Sequence, residues 1–303
     1  MKKIICIGEC SLNIILGADG VPQGSMPGGR IVNAAAILAR AGLPVVMASE
    51  AAADSVGQIV VDFLSRAGAD VAYFDRFTEG RTPLNVFTAG REGILRLNRY
   101  EQYPPQDGFD IVWPRVDEGD IVVFGGYYAI DARVRPRLTK FLDHASEMKA
   151  VLVYLPGFLP EQEPRITRVM PALLENLELA DIVITRNDDL RLIFGVDEDA
   201  ACYRNHIGFY CRSLVNVDAA CRRISYFGGK EMTSAEIPGE VCGSLIWNAG
   251  ALAGVVEALV AADAGREILD EPPAGVREDI LRHAVEAASD AAASLSAPWQ
   301  QCP

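Results

Sequence analysis

The chain has 303 residues, half of them apolar, which is enough to bury one large α/β core or two small ones and too apolar for a disordered chain. Its 28 basic and 41 acidic residues leave a formal charge of -13, so the surface repels polyanions and offers no basic stripe to nucleic acid. Three scattered histidines, His144, His206 and His283, show no metal-ligand spacing, so no metal site is expected from them.

The opening run Ile4-Ile5-Cys6-Ile7-Gly8 is too short for a signal sequence and meets Glu9 at once, so Lys3 to Ile7 reads as a first strand. Helix Ile31 to Ala41, strand Val45 to Ser49, helix Val56 to Ala67 and strand Val71 to Phe74 follow, the alternation of βαβ units on a parallel sheet. Arg81 to Thr88 and Gly93 to Tyr100 break that rhythm as two polar-alternating strands joined by Ala89-Gly90-Arg91-Glu92, a hairpin with one wet face. With Leu12 to Leu16 as a further strand they would make a lid over about 12–18 and 81–101. Arg96 and Arg99, at odd spacing, would point to opposite faces of that strand and read as exposed edge charge.

Strands Ile121 to Phe124, Ala150 to Tyr154 and Ile182 to Thr185 are apolar throughout, as a sheet covered on both faces requires. Gly125-Gly126-Tyr127-Tyr128 after the first of these is either a ligand-contacting sheet edge or a turn with two packing tyrosines. The acidic runs Asp197 to Asp199 and Glu236 to Glu240 read as solvated loops. Two helices rich in Ala, Leu and Val, Ser244 to Ala262 and Arg277 to Leu295, close the chain. The longest apolar stretch, Ala249 to Ala262, falls short of the roughly 20 residues a membrane helix needs and is broken by Gly254 and Glu257. Seven cysteines (Cys6, Cys10, Cys202, Cys211, Cys221, Cys242 and Cys302) contain no C-x-x-C and read as reduced thiols of a cytoplasmic protein. The expected architecture is α/β, one domain over 1–303, with a doubly covered, mainly parallel sheet and a small antiparallel β lid.

The most informative segment is Pro27-Gly28-Gly29-Arg30-Ile31-Val32-Asn33-Ala34-Ala35, running into Leu38-Ala39-Arg40-Ala41-Gly42. Two glycines before a helix let backbone approach a ligand, and the Asn33 amide can both donate to and accept from a polyol. Gly28, Gly29, Asn33, Leu38, Ala39 and Gly42 match in order the N-terminal signature of the ribokinase-like, phosphofructokinase-B type carbohydrate kinases, which the chain resembles. Ile7-Gly8-Glu9, Asp54-Ser55-Val56-Gly57 with Leu64 to Gly68, Arg81-Thr82-Pro83, Ala180-Asp181 to Asn187 and Ile280 to Ala297 are similar to further family segments.

The resemblance implies a ribokinase-like fold, a sugar or nucleoside hydroxyl as acceptor, ATP with magnesium as donor, and one catalytic aspartate at a helix N-terminus that also holds the transferring phosphoryl group. It implies acceptor binding by Asn13, Gly28, Gly29 and Asn33, an anion hole at Gly243 and Ser244, and Asn187 on the nucleotide and magnesium side. A homodimer paired through the lid is a further implication.

Several positions depart from that pattern. Trp247-Asn248-Ala249-Gly250 matches the segment after the catalytic aspartate, and counting back places Leu245 at the base, which a leucine cannot be. Glu240 lies five residues upstream of it and is a poor substitute. The glutamate that would organise magnesium is Leu190, with Asp188 or Asp189 as partial compensation. The glycine-rich nucleotide turn corresponds to Asn216-Val217-Asp218-Ala219-Ala220-Cys221, without its glycines, and the D-P-N-x-R segment to Leu155-Pro156-Gly157-Phe158-Leu159. An acidic sugar ligand is replaced by Asn13, a weaker, uncharged acceptor. Two readings follow: an ATP-dependent carbohydrate kinase with weak or lost phosphotransfer, or a non-catalytic protein that binds a sugar-like ligand, for which no residue is assigned as catalytic.

Overall fold

A computed structural model of the chain describes residues 2–89, 95–104, 112–238 and 245–294. Its strands are β1 (Ile4–Ile7), β2 (Ser11–Leu16), β3 (Pro22–Gly28), β4 (Val45–Ala52), β5 (Phe74–Phe77), β6 (Arg81–Ala89), β7 (Leu95–Gln102), β8 (Ile121–Gly125), β9 (Val151–Leu155), β10 (Ile182–Arg186), β11 (Ser213–Asp218), β12 (Arg223–Gly228) and β13 (Glu231–Glu236). The helices are α1 (Arg30–Arg40), α2 (Ser55–Ala67), α3 (Arg135–Glu147), α4 (Ile166–Leu179), α5 (Asn187–Phe194), α6 (Asp199–Cys202), α7 (Leu245–Ala261), α8 (Arg266–Asp270) and α9 (Ala274–Ala293). The 89–92 turn is outside the described residues beyond Ala89, as are Glu240, Cys242, Gly243, Ser244 and Cys302.

Among the described residues, nine strands form one sheet in the order β13-β12-β11-β10-β9-β8-β1-β4-β5. The pairs from β5 through β11 are parallel, and β12 and β13 add antiparallel at the edge. Alternate residues of each apolar strand enter opposite cores. Ile4, Cys6, Val45, Met47, Ile121 and Val123 pack with α1, α2, α7 and α9 on one face, whereas Ile5, Ile7, Val46, Val122 and Phe124 pack with α3, α4 and α5 on the other. That split is why these strands are apolar without alternation. α7 is buried nearly all round because it is wedged against α1 and α9 as well as the sheet.

The lid is a second sheet in the order β3-β2-β6-β7, antiparallel within β2/β3 and β6/β7 and parallel between β2 and β6. Its strand β3 is not legible in the sequence, because Pro22, Gly24, Pro27 and Gly28 give it the composition of a loop. Prolines are tolerated there because β3 is the outer edge of its sheet. Two sequence motifs meet at the lid's root. The Asp54 carboxylate caps α2 by accepting from Gly57 N (2.8 Å) and also accepts from Thr82 N (3.0 Å) and Thr82 Oγ1 (2.7 Å) at the start of β6.

Other elements shift or differ from the expectation. The strand expected over Val71 to Phe74 begins only at Phe74, because the Asp70 carboxylate accepts from Ala72 N (2.9 Å) and turns the chain there. The β11–β13 meander is not legible in the sequence. Asp199, expected in a solvated loop, is buried at the start of α6, where Arg223 Nη2 donates to both of its oxygens at 3.1 Å. Cys6, Cys10, Cys202 and Cys211 are buried free thiols and Cys221 an exposed one. Among the described residues no helix is long and apolar enough to cross a membrane, and no group of His, Cys, Asp and Glu has metal-holding geometry.

Candidate functional site

A cleft of about 260 Å³ opens between the lid and the main sheet. Its floor is the C-terminal edge of the parallel strands: Gly8 and Glu9 after β1, Gly125 and Gly126 at the end of β8, Leu155 ending β9 and Arg186 ending β10. Open α/β sheets bind ligands at this edge because the loops diverge there and leave a crevice. The lid supplies Ser11, Asn85, Phe87, Leu97 and Arg99, and the α1 entry supplies Gly29, Arg30 and Ile31.

The Gly-Gly turn is built from its own residues. Gly29 has φ 107°, a left-handed conformation that glycine adopts without strain, and a Cβ there would lie 2.6 Å from the Glu9 carbonyl oxygen. Asn33 Nδ2 donates to Pro27 O (3.0 Å) and Gly29 O (2.9 Å), so its amide folds the turn, while Asn33 Oδ1 is buried with no hydrogen-bond partner among the described residues. Gly28 packs against Ser11 and Asn13, where any side chain would collide with Ser11 Oγ and Asn13 Oδ1. Asn13 is fully buried behind Asn85, which donates to Asn13 Oδ1 (2.9 Å) and Ser11 Oγ (3.0 Å), and Asn13 Nδ2 is without a partner among the described residues. Of the four residues expected to hold the acceptor, Gly29 lines the cleft and Asn13, Gly28 and Asn33 lie one layer behind it.

Glu9 and Arg99 line the cleft as well. The Glu9 carboxylate accepts from Tyr127 N (3.3 Å) and Tyr128 N (3.0 Å) across the chain, and Gly126, at φ 67°, leaves room for it. That resolves the Gly125 to Tyr128 segment as a cradle for Glu9: Tyr128 is buried, and Gly125 and Gly126 line the cleft. Arg99 is not exposed edge charge. Its side chain is 5% exposed and donates to Glu101 Oε2 (2.5 Å), Asn85 Oδ1 (3.0 Å) and Tyr103 OH (3.4 Å). Strand alternation alone does not reveal that one face of β7 closes over the sheet.

The opposite wall is apolar. Leu155, Phe158 and Leu159 line it, and so does Leu245 at the first residue of α7. Leu190 is wholly buried in the core beneath α5. Asn187 lies beside the cleft, with Nδ2 donating to Asp197 O (3.2 Å) and Oδ1 accepting from Asn216 Nδ2 (2.5 Å). Asp189 cannot serve a metal in place of Leu190, because Arg186 and Arg30 both engage it. Burial would raise its carboxyl, but Arg186 and Arg30 beside it hold it down at about 2. Asp188, its side chain three-quarters exposed, lines the rim.

Asp189 is consumed by two arginines, Leu190 faces the core, and the 216–221 segment is strand through Asp218. In the turn that follows, the Cys221 N–H is already taken by the Asp218 carboxylate (2.9 Å), whose negative charge opposes phosphate.

Comparison with known proteins accords with this geometry at the level of fold. Fructokinase from Vibrio cholerae O395 in apo form superposes with a TM-score of 0.81 at 13% identity, over 97% of this chain and 99% of that one. Aminoimidazole riboside kinase from Salmonella enterica, complexed with aminoimidazole riboside and an ATP analog, gives 0.77 at 12% identity, over 100% and 96%. Fructokinase with bound ATP from Xylella fastidiosa gives 0.77 at 17% identity, over 99% and 95%. No curated protein matches the sequence. The model of the pfkB family carbohydrate kinases matches residues 1–206, from β1 through α6, which take in the Gly-Gly turn, the lid and the cradle of Glu9. With that match across more than half of its length, the chain belongs to the pfkB family of carbohydrate kinases.

Proposed function

We propose that this chain binds a sugar-like, hydroxylated ligand in the lid cleft and has lost ATP-dependent phosphoryl transfer. The observation that carries the reading is Leu245, which lines the cleft at the start of α7, where the family resemblance calls for a carboxylate base. Removing a general base costs about 10²–10⁴-fold in rate, and leucine provides no proton acceptor. The apolar wall of Leu155, Phe158 and Leu159 and the engagement of Asp189 by Arg30 and Arg186 support the same reading from independent positions. On the acceptor side, Ser11, Asn85, Gln162 and the Glu9 carboxylate offer donors and acceptors suited to hydroxyl groups. Gly243 and Ser244 remain the assigned anion hole and Asn187 the nucleotide-side residue if any transfer persists.

A thermal-shift screen of sugars and nucleosides with and without magnesium and ATP, followed by an ADP-release assay on each hit, tests the proposal. Stabilisation by RT ln(1+[L]/Kd) without ADP release is the expected result. Substrate-dependent ADP release by the native protein would overturn it. ADP release that emerges only in Leu245→Asp would identify position 245 as the lost base.

A further inference from the structure

The inner face of the lid changes character within one step along its strands. Asn13, Asn85 and Arg99 stand opposite one another across β2, β6 and β7, and two residues further along the same face Ile15, Phe87 and Leu97 do so. A strand rises about 3.3 Å per residue, so the polar row and the apolar row lie about 7 Å apart. Ile15 and Phe87 are buried and pack with Met26 and Leu97 into a small core of the lid's own, and Phe87 and Leu97 also line the cleft.

The opposite wall is apolar by a different route. Leu155 and Phe158 are buried there, whereas Leu159 and Leu245 border the cleft and are only half-buried. Leu97, also half-buried, comes from the lid, Leu159 from the connection after β9 and Leu245 from the first turn of α7. A single uncovered leucine on a surface is ordinary, but three from distant parts of the chain converging on one concave site form a surface that an apolar ligand group would cover. None of these side chains donates or accepts a hydrogen bond, and the Leu159 N–H is taken by Gln162 Oε1 (2.9 Å). A polar group placed against them would give up water without replacement. The cleft's charges are matched within the protein. Arg30 and Arg186 hold Asp189, with Glu9 acting on Arg30 and Asp188 on Arg186, and Arg99 pairs with Glu101.

We propose that the ligand of this cleft is a neutral glycoside with an apolar aglycone. Its sugar ring would lie at Ser11 and Asn85, and an aromatic or aliphatic group without hydrogen-bonding atoms would lie against Phe87, Leu97, Leu159 and Leu245. This rests on the ligand-binding reading above and adds the ligand's second half. Burial of apolar surface supplies the affinity of that half, about threefold per buried methylene.

The test is titration calorimetry and thermal shift on the full chain with the methyl, butyl and phenyl glycosides of glucose, galactose and ribose. The free sugars, 1-butanol, phenol, adenosine and inosine serve as comparators. For at least one sugar, the butyl or phenyl glycoside is expected to bind about tenfold or more tightly than the methyl glycoside. Preference for butyl or for phenyl tells which aglycone shape the wall fits, and either outcome supports the proposal. Leu159→Asn and Leu97→Asn, on opposite sides of the cleft, are each expected to cut that ratio about threefold or more. The ratio separates loss of the apolar contact from a general loss of binding, and melting temperatures show that each variant is folded.

Equal binding of methyl, butyl and phenyl glycosides would overturn this inference and leave the proposed function standing, as would an apolar preference that persists undiminished in both variants. Adenosine or inosine binding more tightly than phenyl riboside also overturns it, because the wall would then serve the polar edge of a base. Phenol or 1-butanol binding as tightly as its glycosides would overturn it together with the sugar half of the proposed function. Binding by no member of the series overturns it too, and the wider sugar screen then decides the proposed function separately. Turnover with ADP release would sink the loss of transfer and leave the aglycone assignment intact.

Discussion

Glu50, in the wholly buried strand β4, is 3% exposed, and its Oε2 has no hydrogen-bond partner among the described residues. Burial pushes its carboxyl up to about 8, with Asp131, Asp75 and Glu9 adding to the rise against the opposing pull of Arg133. In the unfolded chain the same group ionises near 4.5. Between those values the folded protein holds a proton that the unfolded chain releases, so this group's contribution lowers stability as pH rises from about 4.5 to about 8. Glu50→Gln, which cannot ionise, is expected to flatten that decline and to stabilise the protein at pH 8 by on the order of a few kcal/mol. Melting temperatures of both proteins across this range check it; parallel curves would show that Glu50 does not titrate in the window. The sequence carries no sign of this, since an acid in a strand reads like any other until its neighbours are known.

At the scale of elements, the close pair of α7 and α9 depends on small residues. A Cβ on Gly254 would collide with the His283 carbonyl oxygen and lie 2.7 Å from Ala284 Cα, and one on Gly250 would lie 2.6 Å from Ala288 Cα. Gly254→Ala gains about 0.5–1 kcal/mol in helix propensity. Overpacking against backbone, which cannot swing aside, costs about 1–3 kcal/mol. The expected net effect is a loss of about 1–2 kcal/mol, read as a lower urea midpoint with an unchanged slope. A stabilised variant would mean that the helices separate freely. Both helices are legible in the sequence from apolar residues at helical spacing, and among the described residues they span Leu245–Ala261 and Ala274–Ala293. Gly254 read only as a break in an apolar stretch, because its role belongs to the partner helix.

At the scale of the whole molecule, Asp54 ties the lid to the main sheet by capping α2 and holding both Thr82 N and Thr82 Oγ1. Asp54→Ala is expected to cost about 2 kcal/mol, from a lost cap and two lost hydrogen bonds. Amide exchange should rise first in β6 and β7, ahead of β8 to β10. A uniform rise across both sheets would show that Asp54 supports the fold generally and does not anchor the lid. The sequence by itself determined the layered α/β plan, the lid hairpin and the Gly28-Gly29-Asn33 turn, because each is written in residues close together along the chain: apolar runs of strand length, helical spacing, a turn and its cap. Only the tertiary structure decided that Arg30 meets Asp189 across 159 residues, that Arg99 folds inward over the cleft, and that Asp199 is buried against Arg223. The physical reason is common to all three: a charged side chain's role is set by whichever opposite charge the fold brings within about 4 Å, and local sequence does not encode that distance.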